Sequence, residues 1–513
     1  MTLQSSGAIS LSDIQTEFGG SNPISLSEYY SGGVYVASGT GSIPSSGLIS
    51  LNQFYGTSSV IPSWILTIDS GTNAWAYESG NSVVADSSGN LYVGAKADHP
   101  SYFGAIYKIT PLGALSSSTG IASNTTNAGV GGIARDSLGN IYLLIDLYNI
   151  NPSYTSNDSV LIKLNSSNSI VWARVLSTNF NNVNTWARDV KVSSDDNYAY
   201  ALIANHYQST NGYGTTTVKF DSVGNFQWGK INNPTNSSNY VAGNAGVSLS
   251  FSGSNVVVPS GIDYAYSSIS GANLVAYGTS TGGYAWQKHV GNQAHQGDSG
   301  GTATDSSGNI YWASTACTGI GDTYAVLNKL DSAGTVQWQR CIYSGSNLLR
   351  AISVAIDSNG YIYMVSNNNN LGIHIAKYNS SGTLQWQRIL LHTDSSSGTT
   401  YYIYPTRIIV DSSSTFVITG GRYNYSGAYN TLVAKFPLDG SKTGTYADPI
   451  IAGSNWVYGT SSMTENALSA TGIFTGNGLG IYTGNAILSN RVYTPTTPSS
   501  GATSPTLRFK SLN

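Results

Sequence analysis

The residues that could do chemistry cluster in one short stretch. Gly297-Asp298-Ser299-Gly300-Gly301 has the letters that surround a nucleophilic serine in a hydrolase, and His289 and His295 stand just upstream. A serine nucleophile needs a histidine base and a carboxylate that orients the base. No histidine motif of the matching kind precedes this serine, and Gly301-Thr-Ala-Thr-Asp305 aligns with Gly132-Ile-Ala-Arg-Asp136 and Ser353-Val-Ala-Ile-Asp357. The segment therefore reads as the lead-in to a repeated strand, and no catalytic residue is assigned. His289, His295 and Asp298 are metal-ligand types. They fall in one crossover loop without helical or strand spacing, so no metal is expected. Turns such as Asp86-Ser-Ser-Gly-Asn90 lack the acidic density of a calcium loop. A quinone cofactor would need a cation-lined central site. The repeats show no such cluster, and no cofactor is expected.

The elements around these residues repeat. The turn recurs at Asp86, Asp136, Asp195, Ser252, Asp305, Asp357 and Asp411. Each is followed by a short apolar strand, a loop, a strand carrying a lysine, and a second turn. The lysines are Lys108, Lys163, Lys219, Lys329, Lys377 and Lys435, and Tyr277 takes the matching place in the fourth unit. A strand opening on tryptophan follows in most copies, with Trp172, Trp228, Trp286, Trp338 and Trp386. Steps of about fifty residues mark one four-stranded sheet per unit, and seven such units read as an all-β, seven-bladed β-propeller. Trp64-Ile-Leu-Thr-Ile68 looks like a fourth strand standing before the first turn, placed to complete the last blade. The expected division is an N-terminal helical module over 1–60, the propeller over 61–446, and a C-terminal β or extended segment over 447–513.

Each part has a physical reason. Asp and Asn bond the turn backbone, and Gly supplies positive φ. Runs such as Ile141-Tyr142-Leu143 suit strands covered on both faces. The lysines and the Trp-x-Arg/Lys pattern are assigned to outer strands, where charge discourages edge-to-edge pairing. Only 9% of the 513 residues are charged and the net charge is -3, so there is no basic nucleic-acid footprint. Cys317 and Cys341 form no disulfide framework; they are placed in adjacent units as buried thiols.

The loops between second and third strands vary in length and carry aromatics, while the other loops within each unit are short and uniform. Alternate loops leave a propeller on opposite faces, so one face is decorated with Tyr, Asn, Ser and Gly. Tyr gives rigid amphipathic contact, and Asn and Ser give adaptable hydrogen bonds. Candidate receptor-binding residues on that face are Tyr207, Tyr213, Tyr264, Tyr266, Tyr423 and Tyr425.

The first sixty residues hold three copies of another motif: Ile9-Ser-Leu-Ser-Asp-Ile14, Ile24-Ser-Leu-Ser-Glu-Tyr29 and Ile49-Ser-Leu-Asn-Gln-Phe54. Each has Ser followed three positions later by Asp, Glu or Gln, a capping-box spacing. Such helices are too short to stand alone in water and need a partner surface or each other. The segment Ser-Ser-Gly-Ala-Ile-Ser-Leu-Ser-Asp-Ile-Gln-Thr-Glu-Phe-Gly-Gly-Ser-Asn-Pro-Ile-Ser-Leu-Ser-Glu-Tyr resembles the N-terminal part of tail-associated structural proteins of tailed bacteriophages, marine phages included. The resemblance covers about residues 1–56; the propeller is similar only in a general way to bacterial repeat propellers. It implies a virion structural protein, often a fibre, with Ile9, Leu11, Ile24, Leu26, Ile49 and Leu51 as candidate anchoring residues.

Met1-Thr-Leu-Gln-Ser-Ser-Gly7 has neither the basic start nor the apolar core of a secretion signal, and no apolar run is long enough to span a membrane. A virion component assembled in a host cytoplasm reconciles this with the Tyr- and Asn-rich surface. The expected function is non-enzymatic: a tail fibre or tail-associated protein, oligomeric in the virion. Its expected partners are other tail proteins and a host surface glycan or protein, with no nucleic acid and no membrane. A purely structural tail role, an exported lectin-like bacterial protein and a propeller enzyme such as a glycan lyase remain the alternatives.

Overall fold

The recurring turns organise the chain because each joins an innermost strand to its neighbour. In a computed structural model, Asp86 Oδ1 accepts from the backbone N–H of Ser88 (3.0 Å) and of Asn90 (2.9 Å). Asp136, Asp305 and Asp357 use their carboxylates in the same way. The structure describes residues 3–4, 6–18, 20, 22–32, 35–36, 42–55, 63–69, 79–99, 102–122, 128–148, 157–176, 183–207, 212–232, 248–262, 271–290, 299–319, 322–343, 349–368, 372–393, 401–411, 414–424, 429–448, 450, 453–461, 463–467, 492–493 and 508–512.

Six antiparallel blades run in sequence order through 79–122, 128–176, 183–232, 250–290, 299–343 and 349–393. The seventh combines Tyr401–Val410, Thr415–Asn424 and Tyr429–Pro437 with the early strand Trp64–Ile68. Trp64 lies opposite Lys435, the register that Trp172 has with Lys163 and Trp386 with Lys377. The fold is an all-β, seven-bladed propeller closed by its own N-terminal strand.

Hydrophobic packing between blades holds the ring. In the second strand of blade 2, Ile141, Leu143 and Ile145 join a core with Ile106 and Ile121 of blade 1. Tyr142 and Leu144 point the other way, into a core with Leu161, Val190 and Ile203. A strand alternates its side chains between faces, and here both faces are covered, which explains the unbroken apolar run. Each fully buried large side chain stabilises the fold by roughly 1.5–3 kcal/mol relative to exposure.

The tryptophans do more than close an edge. Trp64, Trp172, Trp228, Trp286, Trp338 and Trp386 each donate Nε1–H, at 3.0–3.3 Å, to a backbone carbonyl in the last turn of the following blade. Lys163, Lys219, Lys329 and Lys377 donate to the same carbonyls. Arg174, Arg340 and Arg388 reach the glycine carbonyl of that turn at 2.6–2.7 Å. These cations are inter-blade latches, which corrects their assignment as edge charges. In blades 2 to 6 a bulge precedes the tryptophan opposite the third strand and sets the side chain's aim. The register also places Ala276, not Tyr277, at the lysine position of blade 4, because Ala276 lies opposite Trp286 and Tyr277 opposite Tyr284.

Cys317 and Cys341 both belong to blade 5, on its second and fourth strands, rather than to adjacent units. Cys341 is buried.

Beyond the seventh blade the chain adds strands to the rim. Gly444–Ala447 and Asn455–Thr460 extend blade 6, Thr464–Ala467 extends blade 5, Val492–Tyr493 extends blade 2 and Arg508–Leu512 extends blade 1. The stretches 472–488 and 494–505, expected as strands and extended chain, lie outside the described residues. Trp456 and Tyr458 are fully buried, and Tyr458 stacks on Phe436 at 3.9 Å. Beside them the buried Asp448 carboxylate receives His392 at 2.7 Å and the Arg422 guanidinium.

The N-terminal module has a core of its own, in which the three short helices pack on each other. Ile14, Tyr29 and Phe54, the same position in three copies, are all fully buried. Phe54 meets Phe18 and Tyr29 edge-on at 6.1 and 6.3 Å. Copy one is an α-helix, Leu11–Phe18; the others are single 3-10 turns, Leu26–Tyr29 and Leu51–Phe54. Ser10 and Asp13 cap each other reciprocally, and the Ser50 N–H donates to Gln53 Oε1 at 2.7 Å. Tyr30 donates its hydroxyl hydrogen to Gly47 O and Tyr55 donates to Gly7 O. Those bonds tie copy two to copy three and copy three to copy one.

Candidate binding face and central channel

Loops between second and third strands and the crossovers between blades leave the same end of the propeller. Tyr207 and Tyr213 stand at the strand ends there, with Tyr207 opposite Gly212 and Tyr213 opposite His206; their side chains lie outside the described residues, as do Tyr264, Tyr266 and Tyr425. Tyr423 is half-buried and stacks on Tyr402 at 5.1 Å with planes 21° apart. Tyr404 closes on Tyr423 at 6.1 Å. A Cβ at Gly421 would come within 2.4 Å of the Tyr404 hydroxyl, so the glycine leaves the ring its place. The platform Tyr402–Tyr404–Tyr423 draws two members from an innermost strand, a source that attention to loops alone missed. The period-two spacing of Tyr402-Ile403-Tyr404 was the available signal.

The hydrolase-like segment is structural. Ser299 is buried; its hydroxyl accepts from Trp312 Nε1 at 3.0 Å and donates to Asn273 O at 3.3 Å. His289 pairs through its backbone with Asn273, and His295 and Asp298 lie outside the described residues. Among the described residues no three His, Cys, Asp or Glu gather as a metal site, and no helix is long and apolar enough to cross a membrane. The anchoring candidates Ile9, Ile24, Leu26, Ile49 and Leu51 are partly buried against the module's own core, and Leu11 is half-buried.

The centre of the ring holds what the repeats did not announce. Arg407 of blade 7 and Asp189 of blade 3 form an ion pair at 2.8 Å, both buried. Their blades stand as nearly opposite as a seven-membered ring allows, so the pair spans the axis. Asp189 Oδ2 also accepts from the Leu249 N–H at 3.0 Å. Lys191 lies two residues along the same strand, and Arg188 occupies the bulge between Ala187 and Asp189. Burial pushes the Lys191 ammonium below its ordinary value; Asp189 opposes that shift and Arg407 adds to it. Burial likewise lowers Arg188, against the attraction of Asp146. Asp146 accepts from the Ala187 N–H and the Ser159 hydroxyl, and desolvation raises it to about 7. The expectation that the repeats lack a charged central cluster is therefore wrong. The reason is that Arg188, Asp189, Lys191 and Arg407 occur in single blades, where a comparison between repeats discards them.

No protein-family model matches the chain, and no curated protein matches it. Among solved structures, the WD40 domain of coronin from Toxoplasma gondii is 9% identical with a TM-score of 0.41, covering 74% of this chain and 87% of that one. A europium-containing methanol dehydrogenase is 8% identical with a TM-score of 0.38, covering 72% and 92%. Prolyl oligopeptidase B from Galerina marginata is 10% identical with a TM-score of 0.39, covering 71% and 52%. At these scores none of their activities bears on this chain.

Proposed function

We propose that the protein is a non-enzymatic structural component of a bacteriophage tail, a fibre or tail-associated protein, assembled in the host cytoplasm. It docks on other tail proteins through residues 1–60 and turns the long-loop face of its propeller toward a host surface glycan or protein. The observation that carries this reading is the triplicated N-terminal motif, whose sequence resembles phage tail proteins over about residues 1–56. That motif folds around a private core of Ile14, Tyr29 and Phe54, as a docking unit should if it is to keep its shape apart from its cargo. The anchoring aliphatics are half spent on this core, so their exposed edges and the fully exposed Leu48 form the docking surface. Tyr402, Tyr404 and Tyr423 supply ring faces of the kind that stack on sugars at low entropy cost. Mass spectrometry of purified virions tests the reading: this chain should be present in stoichiometric amount, and its absence would overturn the assignment.

A further inference from the structure

We propose that the central channel binds a small oxyanion, a carboxylate or a sulfate, held between Arg188, Lys191 and Arg407. The argument begins with charge. Arg188 and Lys191 come from one innermost strand and Arg407 reaches them from across the axis, its Nη2 donating to Arg188 O at 3.5 Å. Asp189 is the carboxylate on that wall, and both of its oxygens are engaged, one by Arg407 and one by the Leu249 N–H. Asp146, the next carboxylate, is engaged by Ala187 N–H and Ser159. Arg188 Nε is buried without a hydrogen-bond partner, and Lys191 makes no hydrogen bond or ion pair among the described residues. A desolvated cation whose neighbouring carboxylate is already engaged elsewhere is costly. An anion seated beside it accepts charge-assisted hydrogen bonds, and a planar carboxylate or a tetrahedral sulfate suits a guanidinium fork. Val190, between Asp189 and Lys191, packs into the core shared with blade 2, which turns the two flanking side chains away from that core. The site does not depend on the phage reading or on the long-loop face.

Thermal unfolding of the full chain, titrated with sodium sulfate or sodium glucuronate against sodium chloride at matched ionic strength, tests this. Sulfate stabilises proteins in general by exclusion from their surface, an effect that grows without saturating. A bound anion instead gives a saturating rise. Wild type should show saturation with at least one of the two anions. Lys191→Met and Arg188→Gln should each raise the half-saturating concentration about tenfold or more. Lys191→Met should also be at least as stable as wild type in chloride, since it removes a desolvated cation that Asp189 only partly offsets against Arg407. Preference for sulfate identifies a free inorganic ion as the occupant, and preference for glucuronate an acidic sugar. The proposal is overturned if neither anion saturates on wild type, or if both variants respond as wild type does. If one variant fails to fold, the other decides.

Discussion

Two desolvated groups make opposite demands on pH. Desolvation raises Asp146 from 3.8 to about 7. A carboxyl whose folded value lies above its unfolded value favours folding while protonated, so its contribution is full below 3.8 and is lost as pH rises to about 7. Burial lowers His374 from 6.5 to about 4, against its hydrogen bond with Gln387. Its contribution is full above 6.5 and is lost as pH falls to about 4. The two slopes oppose each other across most of that range, and wild-type stability should be nearly level there. Asp146→Asn keeps an acceptor for Ala187 and removes one slope, so urea midpoints of that variant should climb with pH between 4 and 6.5. A profile unchanged from wild type would refute the shift. A second residue-scale test separates backbone strain from the tryptophan latch. Gly334 and Gly360 share φ of 79°, yet a Cβ at Gly334 would lie 2.7 Å from Trp286 while one at Gly360 meets nothing within 4 Å. Gly360→Ala should cost about 1–2 kcal/mol for left-handed strain alone. Gly334→Ala should cost at least about 1 kcal/mol more, since overpacking adds its own penalty. Equal losses in urea denaturation would mean the latch contributes nothing.

At the scale of the element, one missing latch explains one odd turn. Ser117 stands opposite Lys108, the register of a latch tryptophan, and the following blade has Asn168 at φ 60° where the other turns have glycine. With no ring to stack on it, that position tolerates a Cβ. Ser117→Trp combined with Asn168→Gly should therefore restore a seventh latch and stabilise the protein, while Ser117→Trp alone should lose stability against the Asn168 side chain. The pair should be coupled by roughly 0.5–3 kcal/mol; additive effects on unfolding would count against the latch. The same comparison shows what was legible in the sequence. Turns, apolar strands and the Trp64 closure were readable because each recurs at a fixed register. The latch role of Lys and Trp was not, because its acceptor is a backbone carbonyl some forty to sixty residues away. The rim strands were not either, because a short run such as Thr464–Ala467 carries no period of its own. Of the candidate site, Tyr423 could be found from its loop, whereas Tyr402 and the central charges needed the ring to bring them together.

At the scale of the whole molecule, the proposed function assigns assembly and recognition to separate parts, and that separation is testable. The N-terminal module buries Ile14, Tyr29 and Phe54 among its own residues. The propeller closes its ring with Trp64–Ile68, which begins after that module. Removing residues 1–56 should therefore leave a folded propeller, with the near-ultraviolet dichroism of its buried aromatics intact, that no longer enters the virion. Removing residues 1–68 instead takes away the strand that pairs with Tyr429–Pro437 and the Trp64 latch to Pro111. That chain should lose cooperative unfolding, because blade 7 is left with three strands and an open edge. Tyr402→Ala and Tyr423→Ala act on the proposed recognition face. They should leave incorporation unchanged and slow adsorption to host cells, by an amount matching about 1–2 kcal/mol or more if the platform is a hot spot. Normal incorporation of the 1–56 deletion would move the anchor elsewhere, most directly to the rim strands. Normal adsorption by both tyrosine variants would leave the propeller as a spacer, and the receptor-binding part of the proposal would then be withdrawn while the tail assignment stands on incorporation alone.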